Sequence, residues 1–493
     1  MTDNTAGPTT ASPPPSAPTA RRAPRLPRPS PLVLKMIVIV LLTFVLMIPL
    51  GWVRGVITER ASYSESVQRE LGKTWGGPQR LAGPLLVVPF AWRESYRVRD
   101  QKADGEEPVY LVKQRDKEAR LYILPAQQSL IADGKTQIRY RGPYKALLYG
   151  TEIQVEGSFT LPKVADLDLP EGAQLLWQRA RFLVHVSDLA SSTSISPLSW
   201  GGGSAPFDVA TDRPTTHPWI AASLPTTAST GETRFSFTLG LNGSRGLTFI
   251  PFGQSSQARL AMDWPHPSFA GSQLPTESTI DESGFTAAWS QSHLARGLAS
   301  VLRSDRAGQD ALAARLDSPG LTAWLVDPID TYHKAERAVK YGLLFIAVTF
   351  GTLVVFEALS LRAAAGGSAP TGDRSLHPVQ YSLLGGALIL FFLLFLSLAE
   401  VIGFAAAYWS AAGLVLALVT AYTAKATTSL LRGLQLGGGL AAVYGYLFVV
   451  LRAEDHALLM GSLLLFAMLA LVMYATRNVD WSALGRSQSS DKR

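Results

Sequence analysis

The chain has 493 residues, no cysteine, and an excess of basic over acidic side chains that gives a formal net charge of +7. Without cysteine it can form no disulfide, thiolate metal site or iron–sulfur cluster, and it has no cysteine nucleophile. Charged residues make up only 17%, against roughly 25% in soluble domains, and the basic ones sit beside apolar runs instead of forming one stripe, so no nucleic-acid partner is expected.

Residues 1–32 are rich in Pro, Ala, Ser and Thr and too poor in aliphatic bulk to bury a core, which predicts a disordered cytoplasmic tail. Arg21, Arg22, Arg25, Arg28 and Lys35 then precede the apolar run Met36 to Val53. No small-x-small cleavage site follows, so 33–53 is read as an uncleaved signal anchor and first transmembrane helix. Beyond it, Val56, Ile57, Val67 and Leu71 recur on one side, predicting a helix from Arg54 to Glu70 that Gly72 and then Gly76-Gly77-Pro78 terminate.

Past Pro78 the apolar period shortens to two. Ile153, Val155 and Phe159 alternate with polar residues, as do Phe182, Val184 and Val186, then Phe235, Phe237 and Leu239, then Ala258, Leu260, Met262 and Trp264. That pattern predicts antiparallel β-structure, with a sandwich as the expected arrangement. Residues 190–232 read as long loops and 294–318 as holding a short helix. The whole of 54–338 is thus expected to be one mainly-β domain with an N-terminal helix.

Asp327-Pro328 through Tyr341 reads as a helix returning to the membrane, with Pro328 in its first turn. Five more apolar runs follow, giving expected transmembrane helices at 339–361, 379–400, 401–424, 433–451 and 457–476 and a cytoplasmic tail at 477–493. Each run approaches the ~20 residues that cross a ~30 Å hydrocarbon core. Arg362, Arg374, Lys425, Arg432 and Arg477 all fall on one side if both termini are cytoplasmic, which places the polar middle in the periplasm of a bacterial inner membrane. The expected fold is therefore a membrane α-helical bundle of six transmembrane helices plus a large, sandwich-like, mainly-β periplasmic domain. In the fifth span Gly433, Gly437, Ala441 and Gly445 make a small-residue stripe suited to close helix packing.

Few side chains carry chemistry. Glu357 lies inside a span, where an acid is costly and needs a partner or a water-filled cavity; Arg362, Arg374, His377 and Lys425 are the expected same-side partners. Glu400 reads as a turn residue at the opposite face. Asp330, Tyr332, Arg337 and Lys340 fall at headgroup level. His266 stands between Trp264 and Phe269 in a Pro-flanked segment, and His217 precedes Pro218-Trp219. A metal needs three or four convergent ligands, and no such His/Glu spacing is present. No G-x-S-x-G elbow, H-E-x-x-H, Walker lysine loop or dinucleotide fingerprint occurs. No catalytic residue, metal or cofactor is expected.

Several stretches together resemble the CreD family of inner-membrane, cell-envelope integrity proteins. They include Glu59-Arg60 with Tyr63, Trp75-Gly76-Gly77-Pro78-Gln79, Gly83-Pro84, and Trp264 through Phe269 with Ser283-Gly284-Phe285 and Trp289. Further on come Asp330-x-Tyr332, Arg337-x-x-Lys340-Tyr341, Thr349-Phe350, Phe356-Glu357, His377-Pro378-x-Gln380-Tyr381, Glu400-x-x-Gly403-Phe404 and Thr476-Arg477-Asn478-x-Asp480-Trp481. The Pro-rich tail, the 200–232 loops and the Gly/Ala stretch near 363–372 depart from the family pattern. The resemblance implies a non-catalytic protein of an envelope-stress, two-component regulon. The candidate functional or interaction residues are Trp264, His266, Phe269, Asp330, Tyr332, Arg337, Lys340, Glu357, His377, Glu400 and Arg477.

Three functions compete at this level. One is a membrane protein whose periplasmic domain binds an envelope component or a partner membrane protein. The second is a transporter or lipid-handling protein using Glu357. The third is a periplasmic hydrolase, which would need a cleft with several perturbed titratable groups. The lipid bilayer is a partner in all three; oligomeric state is not legible.

Overall fold

A computed structural model describes residues 31–99, 110–224, 231–327, 331–365, 376–452 and 457–477. The expected tail lies outside them except for Pro31 and Leu32, and so does Asp330. The described residues fall into two compact units. One comprises Met1–Gly51, Tyr341–Leu390 and Gly413–Arg493; the other comprises Trp52–Lys340 and Phe391–Ala412.

The first helix is longer than its sequence signals. It runs unbroken over Pro31–Trp75, with Pro49 inside and Gly72 not ending it. Gly76, at φ +133°, closes it, and a Cβ there would press on the Ser191 side chain. A lone helical glycine costs about 1 kcal/mol, too little to stop a helix whose next turn still packs: the Trp75 indole donates to the Tyr149 carbonyl at 3.0 Å.

The second unit is mainly β. In its first sheet Phe207–Val209, Trp219–Ser223, Arg181–Val186, Gln79–Arg99, Gly246–Pro251, Leu321–Leu325 and Pro267–Gly271 lie in that order, with Tyr110–Ile123 along the outer half of Gln79–Arg99. In the second sheet the order is Glu277–Asp281, Gly284–Ser292, Ser255–Met262, Gln127–Arg141, Tyr144–Leu161, Gly231–Ser244, Leu198–Trp200 and Gly203–Ala205. Most pairs are antiparallel, as expected, but Gln79–Gly83 runs parallel to Leu247–Pro251 and Ser255–Met262 parallel to Gln127–Gly134.

One apolar cluster draws on both sheets: Leu86, Val88, Phe90, Phe182 and Val184 from the first, and Ile153, Val155, Phe159, Phe235 and Leu260 from the second. Phe159 lies 5.3 Å from Phe235 and 5.6 Å from Trp200, and Phe182 lies 5.3 Å from Phe235. Such pairs add about 0.5–1.5 kcal/mol each beyond area burial. The opposite face of the first sheet is buried as well, where Leu85, Val87, Leu183 and Trp219 pack with Leu312 and Leu316 of the helix Gly308–Asp317. Gln128 ties the sheets together. Its amide nitrogen donates to the Gly83 carbonyl, and its oxygen accepts from the amides of Phe252 (3.0 Å) and Gly253 (3.1 Å).

Two stretches differ from expectation. Residues 190–232 hold five short strands, at Ser192–Ile195, Leu198–Trp200, Gly203–Ala205, Phe207–Val209 and Trp219–Ser223. Serine, glycine and threonine there obscured strands of only three to five residues, too short for a period of two to show. Residues 294–318 hold a strand, Val301–Arg303, besides the helices His293–Arg296 and Gly308–Asp317.

Among the described residues five helices are long and apolar enough to cross a membrane. They are Leu34–Trp75, Thr331–Glu357, Pro378–Ile402, Phe404–Ala426 and Leu430–Arg452, and a further helix covers Ala457–Thr476. In the first unit Phe345 sits 4.5 Å from Tyr444 and Phe350 sits 5.3 Å from Tyr381. Half of the small-residue stripe is used here: a Cβ on Gly433 would lie 2.7 Å from the Ala424 Cβ and 2.8 Å from the Thr420 carbonyl, whereas one on Gly445 would meet nothing.

Candidate functional site

Within the β-bearing unit a cleft of about 780 Å³ collects residues that lie far apart in the sequence. The first helix contributes Ser64 and Gln68. The hairpin between Gln127–Arg141 and Tyr144–Leu161 contributes Tyr140, Pro143, Tyr144 and Lys145. Arg245, Trp264, Trp324 and Asp327 come from turns and strand ends of the first sheet and its neighbours. Thr331 and Tyr332 open the helix Thr331–Lys340, and Ala399, Glu400, Gly403 and Phe404 form the corner between two apolar helices.

Local conformation explains why these residues converge. Gly403 has φ +79°, a left-handed geometry that lets Pro378–Ile402 turn directly into Phe404–Ala426. Arg245 also has positive φ, at 65°, in the single-residue turn between Gly231–Ser244 and Gly246–Pro251. That turn brings its side chain to the cleft, where its Nη2 stands 3.5 Å from Glu65.

Glu400 is the centre of the polar network. Its side chain is 17% exposed; the Tyr332 hydroxyl donates to it at 3.1 Å, and the Arg60 guanidinium stands 4.0 Å away. Arg60 itself donates to the Tyr144 hydroxyl at 3.2 Å, and the Tyr144 ring meets Tyr63 edge-on at 5.1 Å. Lys145 pairs with Asp327 at 2.7 Å. The Trp264 indole donates to the Val326 carbonyl at 2.8 Å, which fixes the ring at the rim. Glu400 thus belongs to a helix, not the turn expected from sequence, and its partners are 68 and 340 residues away.

Three of the sequence candidates therefore meet in the cleft: Trp264, Tyr332 and Glu400. His266 is exposed, its ring 6.1 Å from Trp264. Phe269 packs edge-on against Phe285 (5.7 Å) and Trp289 (5.9 Å), a core contact. Arg337 is half-buried in the helix Thr331–Lys340, and Lys340 stands 3.7 Å from Glu336, one turn earlier. Arg60, Tyr144, Lys145, Arg245 and Trp324 were not singled out; Glu59-Arg60 and Tyr63 stood out only as a motif.

The remaining candidates belong to the other unit. Lys35 donates to both carboxylate oxygens of Glu357, at 2.7 Å to Oε2. Lys35 was absent from the expected partners; Arg362 and Arg374 lack described side chains, and the recorded partner is the lysine that opens the first apolar run. His377 caps the helix Pro378–Ile402, its Nδ1 accepting from the Val379 amide at 3.3 Å while its own amide donates to Gln380. Arg477 lies over the Tyr474 ring at 4.0 Å.

His217, 31 residues beyond the sheet strand that carries His185, is built into a chain of contacts. The Trp219 indole donates to Thr215, Thr215 contacts His217 Nδ1 at 3.2 Å, and His217 Nε2 reaches Asp317 at 3.2 Å. His185 lies 5.4 Å away, ring to ring, with its Nδ1–H donated to the Pro218 carbonyl at 2.7 Å. Burial pushes the His185 imidazole down to about 4, with His217 and Arg80 adding to the effect. Among the described residues no group of three or more His, Cys, Asp or Glu could hold a metal ion.

Several long apolar helices carrying a mainly-β domain, with a cleft bordered by a corner of two of those helices, define a multi-helix membrane protein. The model for "Inner membrane protein CreD" matches residues 31–482. The chain is also 30% identical over 462 residues to the inner membrane protein CreD of Escherichia coli strain K12, covering 92% of this chain and 94% of that protein. It belongs to the CreD family of inner membrane proteins. Among solved structures, the M1 zinc metallopeptidase of Deinococcus radiodurans covers 34% of this chain and 38% of its own at 11% identity and TM-score 0.19. A yeast LTA4 hydrolase covers 46% and 35% at 8% identity and TM-score 0.21. Likenesses this slight carry no argument about fold or reaction.

Proposed function

We propose that this chain is a non-catalytic inner-membrane protein that maintains cell-envelope integrity in an envelope-stress response, its β-domain binding an envelope component at the cleft around Glu400. The carrying observation is the cleft itself, which joins Trp264 and Trp324 of the β-domain to Glu400 and Phe404 at a corner of two apolar helices. In this reading Ala457–Thr476 is the sixth span, both termini are cytoplasmic, and the β-domain is a periplasmic sandwich. The single apolar cluster shared by the two sheets supports the sandwich. The basic residues flanking the helices support the orientation.

A chain without cysteine lends itself to single-cysteine labelling. With Ser199→Cys or Ser490→Cys, an impermeant maleimide should label the first in intact spheroplasts and the second only after lysis. The reverse pattern defeats the topology. For the site, Trp264→Ala and Glu400→Gln should leave protein levels unchanged yet fail to restore envelope impermeability in a strain lacking the protein. Full restoration by both would refute the cleft as the working surface.

The transport reading rests on Glu357. Its ion pair with Lys35 supports a packing role instead, because the carboxylate already has a basic partner on another helix.

A further inference from the structure

The cleft is lined by two bases and two acids, Lys145 and Arg245 against Asp327 and Glu400, within aromatic walls formed by Tyr140, Tyr144, Trp264, Trp324, Tyr332 and Phe404. We propose that it holds the headgroup of a zwitterionic glycerophospholipid whose cation is a primary ammonium, the phosphoethanolamine type. This rests on the reading of the cleft as the binding site and adds the ligand class.

Three features select that chemistry. The first is size: at about 780 Å³ the cleft lies within the roughly 300–1,000 Å³ of small-molecule sites, enough for a headgroup with its glycerol. The second is charge. Lys145 and Asp327 pair at 2.7 Å, whereas Arg245 and Glu400 make only longer ion pairs, with Glu65 at 3.5 Å and Arg60 at 4.0 Å, and are the opposite charges a zwitterion can engage. Arg245 is only loosely engaged, 3.5 Å from Glu65, and a guanidinium carries five N–H donors in a fork that fits a phosphate.

Glu400 receives a hydrogen bond from Tyr332, and its arginine neighbour stands at 4.0 Å; a carboxylate accepts about four. A primary ammonium brings N–H donors for such a carboxylate, which a trimethylated one lacks. The third feature is position. Val401 (81% exposed), Ile402 and Trp409 adjoin Glu400 and Gly403 along the two apolar helices, an open apolar surface on which acyl chains can lie while the headgroup sits in the cleft. Tyr and Trp with one wet edge suit that depth.

The test uses the full chain in nanodiscs of phosphatidylcholine doped with a phosphatidylethanolamine bearing a photoactivatable diazirine beside the glycerol. After irradiation, peptides covering Tyr140–Leu147 or Trp264–Phe269 should carry the label. Unlabelled phosphatidylethanolamine should compete, phosphatidylglycerol and further phosphatidylcholine should not, and Glu400→Gln should weaken competition about tenfold in a chain that still melts cooperatively. Arg245→Gln provides a second variant outside the membrane helices, with weakening of similar size expected. Equal competition by phosphatidylcholine or phosphatidylglycerol, or a co-purifying peptide crosslinked in the cleft, would overturn the headgroup assignment while leaving the cleft as a site. If no lipid labels the cleft and the Trp264→Ala and Glu400→Gln chains still restore the envelope, the underlying reading falls too.

Discussion

Lys35 holds both carboxylate oxygens of Glu357 although 322 residues separate them, so the first helix and a helix from the chain's last third are joined by one ion pair. Both side chains are mostly buried, at 20% and 16% exposure, and Lys35 also lies 5.8 Å from the Tyr381 ring. Removing one partner leaves a poorly solvated charge, so Glu357→Gln and Lys35→Met should each destabilise the solubilised protein by about 1–3 kcal/mol. The double change to Met at both positions should recover most of that loss, because two apolar side chains of similar volume need no partner. Melting temperatures of the four proteins in one detergent decide it. A Glu357→Gln chain that melts normally but loses function would favour the transport reading.

His185 should make the β-domain acid-sensitive. Its folded-state value is depressed to about 4, below the ~6.5 of an unfolded chain, so the unfolded state takes up the proton first as pH falls. Stability should therefore be full above about pH 6.5 and decline toward pH 4, by about 3 kcal/mol in total. Denaturant midpoints of the full chain measured across that window should show this slope, and His185→Gln should flatten it. An unchanged slope in the variant would remove His185 as its source.

Gln128 answers one buried carbonyl and two buried amides at once. Gln128→Ala would strand all three, and at about 1–3 kcal/mol for each unsatisfied group, eased where water enters, a loss of about 3–5 kcal/mol is expected. Urea unfolding followed by near-ultraviolet circular dichroism measures it; a loss under 1 kcal/mol would show that the tie matters little.

Two glycines of the same helix should behave oppositely. Gly433→Leu meets Ala424 and the Thr420 backbone and should cost about 1–3 kcal/mol through forced separation of the helices. Gly445→Ala meets nothing and should be neutral or slightly stabilising. Equal effects at the two sites would contradict the packing of Leu430–Arg452 against Phe404–Ala426.

Where one face of a strand is wet, the sequence announced it. Ser255–Met262 alternates exposed and buried positions, and Ala258, Leu260 and Met262 stand out at once. Gln79 to Phe90 escaped that signal because both of its faces are covered: Leu81, Leu86 and Val88 belong to one apolar cluster, Ala82, Leu85 and Val87 to the other. A strand buried on two sides loses its period of two and reads as a plain apolar run. The site was legible only as separate residue types. Trp264, Tyr332 and Glu400 stand out singly, but they meet only through tertiary packing beside the left-handed corner at Gly403, which local composition does not dictate. Lys35 was read as an orientation signal, which hid its role as a counter-ion.

The doubly covered strand has a consequence for how the domain is made. Gln79 pairs in parallel with Leu247, so the ladder at the heart of the first sheet closes only once the chain has been made as far as residue 247. The helix that covers the strand's second face, Gly308–Asp317, is made later still, and contacts this distant along the chain form slowly. Until that helix docks, Leu85 and Val87 lack Leu312 and Leu316 as neighbours, so one face of the central strand is the last part of the core to be completed.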